Sequence, residues 1–221
     1  MRTIWSFVRL DLSTQRQGLR RMALAVIVFV VMFSLLSTDL TAVAMAVAVL
    51  PLMLPMLFFA EDQRSHLDTL YGALPLTRRQ VVTGRYASLM LWSLGAATLG
   101  PVVAVAVAQV QGRPPSAGAL VAGDLTAWSA AWIVLSLQLP AYFRWGYAKA
   151  GTIIQIATFA LFFAAVPAIR WAAPSLATLL SPGSAPAGIP LAAMWIPPAA
   201  ALGAAALSRW SAGRFYARRE L

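Results

Sequence analysis

Apolar runs of membrane-spanning length recur along the whole chain, separated by short polar breaks. A helix needs about 20 mostly apolar residues to cross the hydrocarbon core of a bilayer. The pattern predicts six such helices, over roughly 20–38, 41–60, 84–110, 120–143, 150–168 and 190–208. The first is short and borrows length from snorkelling residues in "QGLRR", and the turn "STDLT" folds the first two into a tight hairpin. Residues 1–19 place Ile4, Trp5, Phe7, Val8, Leu10 and Leu12 against Arg2, Arg9, Asp11 and Arg16, which suits an amphipathic helix lying in the interface. Arg20–Arg21, the apolar run and "AVA" at 42–44 resemble a secretory leader. Its excessive length, and the apolar sequence that continues beyond it, favour a first transmembrane helix instead. Segment 169–190, with "PSLATLL" before the turn-rich "SPGSAPAG", reads as a short helix at the outer interface or a re-entrant element.

The break at residues 61–80, "EDQRSHLDTLYGALPLTRRQ", has its own period. Leu67, Leu70, Tyr71 and Leu74 fall at i, i+3, i+4 and i+7, one face of a short helix. Ser65 and Asp68 supply a start signal, and Gly72 and Pro75 end it. Thr77, three residues before Gln80, forms a second capping-box pattern, which starts a helix running through Arg85 and Tyr86 into the third span. The charges around the apolar stripe are mixed: Glu61, Asp62, Arg64, Asp68, Arg78 and Arg79. Anionic lipid alone favours a uniformly basic helix. A mixed rim around apolar anchors suits a groove on another protein, and the competing reading is a solvated loop with interfacial leucines.

Composition and charge sharpen this picture. Of 221 residues, 60% are hydrophobic and only 11% charged, against about a quarter charged in a soluble domain. The chain is therefore expected to be an all-α integral membrane protein, a single transmembrane domain over 1–221. Its formal charge is +10, and of its 17 Lys and Arg residues all but Arg113 and Arg170 fall on one side of the six-span topology. The positive-inside rule then puts both termini and the 61–80 stretch in the cytoplasm.

Much chemistry is missing from the sequence. It has no cysteine, no G-x-x-x-x-G-K-[ST] phosphate loop, no H-E-x-x-H and no G-x-S-x-G, and His66 is its only histidine. No catalytic, cofactor-binding or metal residue is assigned. Asp39 and Asp124 fall near the outer helix ends and are expected to be interfacial, which argues against a proton-coupled carrier. Pro51, Pro55 and Pro101 are candidate hinges, with ordinary helix-kinking proline as the alternative, and Gln155 is expected to join helices.

Two loops carry a family resemblance. "FFAEDQRSHLDTLYGALPLTRRQVVTGRY" resembles the segment between the second and third helices of small six-helix ABC-2-type permeases, the membrane subunits of bacterial ATP-binding-cassette exporters. The matching residues are Glu61 and Asp62, Asp68, Leu74–Pro75, Thr77, Arg78–Arg79 and Val81–Val82; Leu67 stands where the family often has tryptophan. "PAYFRWGYAKAG" resembles the loop between helices four and five, through Phe143, Arg144, Gly146 and Lys149. The resemblance implies that residues 61–76 are a coupling helix seated on a separate ATPase, with Arg64, Leu67, Asp68, Leu70, Tyr71, Leu74, Pro75, Arg78 and Arg79 at the interface. It implies a second cytoplasmic contact loop with Arg144, Tyr147 and Lys149. It further implies two ATPase copies carrying ATP and Mg, a second permease subunit that is identical or related, and a place in the bacterial inner membrane. No nucleic acid partner is implied. A largely apolar path would suit an amphipathic or lipophilic cargo such as a peptide, lipid or drug-like compound. The competing readings are a membrane enzyme acting on lipids, which lacks the expected side chains, and a non-transporting scaffold or immunity protein, which would need no coupling helix.

Overall fold

The computed structural model describes residues 27–28, 30–33, 39–64, 77–112, 116–172 and 194–217, without the side chains of 150, 159, 161–172 and 217. All the regular structure among them is helical: α1 (Leu40–Val49), a 3-10 turn (Leu50–Met53), α2 (Leu54–Arg64), α3 (Arg78–Gln111), α4 (Ala117–Ala172) and α5 (Ile196–Ala217). The interfacial helix 1–19, the helix over 67–74 and most of the outer segment 169–190 lie outside the described residues. Of the first span, 27–28 and 30–33 are helical.

Local chemistry sets the helix ends. Asp39 caps α1 by accepting from the Thr41 N–H at 2.8 Å. Pro51 and Pro55 lack the N–H that would continue the ladder, and the chain passes from α1 to α2 through the 3-10 turn that contains Pro51. Thr77 and Gln80 form the reciprocal capping box that the sequence predicts, at 2.8 and 3.3 Å. Gly112, at φ 64°, closes the far end of α3 in the left-handed conformation.

Among the described residues, three helices are long and apolar enough to cross a membrane: Leu40–Arg64, Arg78–Gln111 and Ala117–Lys149. At 34 residues, α3 is about 51 Å long against a hydrocarbon core of about 30 Å, so it extends well past the lipid. Trp132, Leu135, Leu139 and Tyr142, at i, i+3, i+7 and i+10 of α4, form the buried stripe against which α1, α2 and α5 pack. Val102, Leu137, Ile153, Ile156 and Leu207 point outward, each more than 60% exposed, a surface suited to lipid rather than water.

Three expectations change. The predicted loop bearing Arg144, Tyr147 and Lys149 is absent: α4 continues through it with a break at one residue, Gly146, at φ 71° and ψ 171°. Only glycine adopts that conformation readily, so a single residue reverses the chain. The two limbs fold back on each other, with Gln138 Nε2 donating to Thr158 Oγ1 at 2.6 Å across the break. The last helix runs over Ile196–Ala217 rather than 190–208, with Pro197 and Pro198 in its first turn, where their missing N–H groups cost nothing. Its polar end stays helical because Ala212 and Tyr216 are buried. Pro101, one of the candidate hinges, lies inside α3. Finally, Asp124 is buried rather than interfacial. Its Oδ1 has no hydrogen-bond partner among the described residues, and a Cβ on Gly100 would lie 2.6 Å from it.

Candidate functional site at the basic end of the bundle

The end of α2, the start of α3, the Gly146 break and the end of α5 converge on one end of the bundle around a cavity of about 540 Å³. Phe59, Asp62, Arg85, Phe143, Lys149 and Tyr216 are among its walls. Arg64, Arg78, Arg79, Arg144, Arg209 and Arg214 cluster at the same helix ends.

At its centre Arg85 is 1% exposed and forms an ion pair with Asp62. The guanidinium also lies 5.3 and 5.5 Å from the ring centroids of Phe58 and Phe59. A buried arginine is tolerated when a carboxylate neutralises it and flat rings cover it. The pair ties α2 to α3 and therefore clamps the two ends of the segment 65–76. An aromatic cluster extends from it. Phe59 stacks on Tyr142 at 5.0 Å and meets Phe143 edge-on at 5.1 Å, and Phe143 meets Tyr216 at 5.5 Å. Arg78, the first residue of α3, donates to the Tyr216 carbonyl at 2.9 Å and lies over that ring.

One level deeper, a relay of hydroxyls joins three helices. Ser208 Oγ donates to the Ser136 carbonyl at 2.6 Å, so the 2.5 Å contact between Tyr86 and Ser208 has the tyrosine as donor. α3, α4 and α5 are thus connected through fully used hydrogen bonds. Gln155, expected to join helices, donates to Met53 Sδ at 3.3 Å, from the second limb of α4 to the 3-10 turn.

Of the residues predicted at the ATPase interface, Arg64, Arg78 and Arg79 stand at this end; Leu67, Asp68, Leu70, Tyr71, Leu74 and Pro75 lie outside the described residues. Arg144 is the last side chain but one before the break, 5.3 Å from the Phe215 ring and 5.4 Å from that of Trp145. Tyr147 and Lys149 follow on the first turn of the second limb. Tyr147 lies flat along that turn because Gly151 leaves room; a Cβ there would be 2.7 Å from the ring. Pro51 and Pro55 are buried in the α1–α2 junction and are not among the residues that line this cavity.

Sequence reasoning missed the Asp62–Arg85 pair and the aromatic cluster. A signal was present: Arg85 interrupts the apolar pattern "VVTGRYASLM", and a lone guanidinium at that depth calls for a carboxylate.

Long helices with outward apolar faces, polar clusters confined to their ends, and no phosphate loop in the sequence define a helical membrane protein that does not itself carry a P-loop. The chain belongs to the ABC-2 family: it matches the family described as ABC-2 family transporter protein over residues 6–181. It is thus the membrane component of an ABC transporter. No curated protein and no solved structure matches it.

Proposed function

We propose that the chain is the permease subunit of an ATP-driven exporter in the bacterial inner membrane, with six transmembrane helices and both termini in the cytoplasm. Two copies, or one copy and a relative, work with two separate ATPase subunits that hold ATP and Mg. The segment 61–76 forms the coupling helix, and its cargo is amphipathic or lipophilic. The observation that carries this reading is the convergence of four chain segments on the Asp62–Arg85 pair at one basic end. A push on the segment between Arg64 and Thr77 would act on α2 and α3 at once, and through the hydroxyl relay on α4 and α5. The lack of a phosphate loop in the sequence supports hydrolysis on a partner.

The test is reconstitution. The purified chain in vesicles neither binds nor hydrolyses ATP. Adding its ATPase confers hydrolysis and ATP-dependent movement of an amphipathic dye or peptide across the vesicle membrane. Specific nucleotide binding by the isolated chain, or transport without the ATPase, contradicts the proposal.

A further inference from the structure

A second groove at the basic end lies between α3 and α5, on the outside of the bundle. Arg79, Arg209 and Arg214 line it, with Trp210 and Thr83, around a cavity of about 480 Å³. Arg214 lies over Trp210 at 3.8 Å, and Arg209 donates to Thr83 Oγ1 at 3.3 Å, which orients two of the three guanidinium groups. The central cavity has its own carboxylate, Asp62; among the described residues this groove has none in its lining, and none of its three arginines has an ion-pair partner there.

The groove is continuous with an apolar one. Thr83 and Arg209 also border a second cavity of about 280 Å³, lined by Ala87, Met90, Leu202 and Ala206 along the same seam. On α3 the positions run Arg79, Thr83, Ala87, Met90; on α5 they run Arg214, Trp210, Ala206, Leu202. Both helices therefore grade from cationic to apolar in the same direction. From residue 79 to residue 90 the rise is about 16 Å, close to the roughly 15 Å half-thickness of a hydrocarbon core.

A seam about one leaflet long, cationic at one end and apolar at the other, matches a molecule with a phosphate at one end and an acyl chain at the other. We infer that the α3–α5 seam is a binding site for one anionic phospholipid of the surrounding leaflet. Arg79, Arg209 and Arg214 hold the phosphate, and the chain lies along Ala87, Met90, Leu202 and Ala206. A second copy of this chain fits less well, since a two-fold contact would bring arginine against arginine. The inference requires only that the chain spans a bilayer; it does not depend on an ATPase partner or an exported cargo, so its failure and that of the exporter reading are separable.

The test uses the full chain in detergent, with thermal unfolding and native mass spectrometry after addition of phosphatidylglycerol, phosphatidylcholine or glycerol 3-phosphate. Phosphatidylglycerol should raise Tm and appear as a bound lipid. Phosphatidylcholine and the chain-free headgroup should do neither. Replacing Arg79, Arg209 and Arg214 together by Gln should weaken phosphatidylglycerol binding by at least about tenfold. Ala206→Trp, which fills the tail groove and removes no charge, should also weaken it, and carries the test should the triple variant not fold. Replacing Arg64, Arg144 and Lys149 by Gln should leave binding unchanged. Equal stabilisation by the two lipids, an equal response to glycerol 3-phosphate, or an equal loss in the second triple variant overturns the proposal. So does an Ala206→Trp variant that dissociates a dimer while keeping its lipid, since the seam would then belong to a second copy.

Discussion

Arg85 carries the most consequential single contact in the molecule. It is a permanent charge, 1% exposed, held by Asp62 and two phenylalanine rings. Removing one member of a buried pair leaves the other uncompensated, at a cost of about 3–5 kcal/mol, whereas replacing both with apolar groups is often neutral. Asp62→Leu and Arg85→Met should therefore each destabilise the protein by roughly that amount in detergent denaturation, and the double variant should recover most of it. A double variant that loses the sum of the two single losses would contradict the pairing. The sequence shows both residues: Asp62 as part of an acidic pair and Arg85 as a topology marker. It does not show that they meet, because they stand on separate helices with the 65–76 segment between them. Asp124 was misplaced for a related reason. Position along a helix gives depth, but only the closeness of its carboxyl to Gly100, together with its burial, shows that it faces inward.

At the scale of elements, the sequence is most informative where a local rule acts. The Thr77–Gln80 box is complete within four residues, and the structure forms it. The chain reversal at Gly146 was not legible as a one-residue break, since "FRWGYAK" carries the polarity of an ordinary loop. What decides it is the backbone at φ 71°, ψ 171°, together with the Gln138–Thr158 bond that closes the two limbs. Gly146→Ala should cost about 1–3 kcal/mol, because a side chain is poorly tolerated in that conformation. Gly213→Ala, where a Cβ meets nothing within 4 Å, should be neutral or stabilising by up to about 1 kcal/mol. Thermal unfolding of the two variants checks this: a Gly146→Ala protein as stable as the parent would mean that the hairpin does not need the glycine.

For the whole molecule, periodicity and charge placement established the helical membrane class, and the two loop motifs pointed to the family that the chain matches over residues 6–181. Three of the helices expected to span the membrane are present with adequate length and apolar character. The lateral arrangement was not legible, because apolar faces look alike in sequence whether they meet lipid or another helix. On the exporter reading proposed above, a separate ATPase docks on the 61–76 segment, with Leu67, Leu70, Tyr71 and Leu74 as anchors. Buried apolar anchors often carry about 2 kcal/mol or more each, and rim charges less. The most direct measurement is co-purification of the ATPase with Leu70→Asp and Leu74→Asp variants. Both variants should reach the membrane, since the spans are untouched, yet lose the ATPase in detergent. Retention of the ATPase at parental levels by both variants would contradict it.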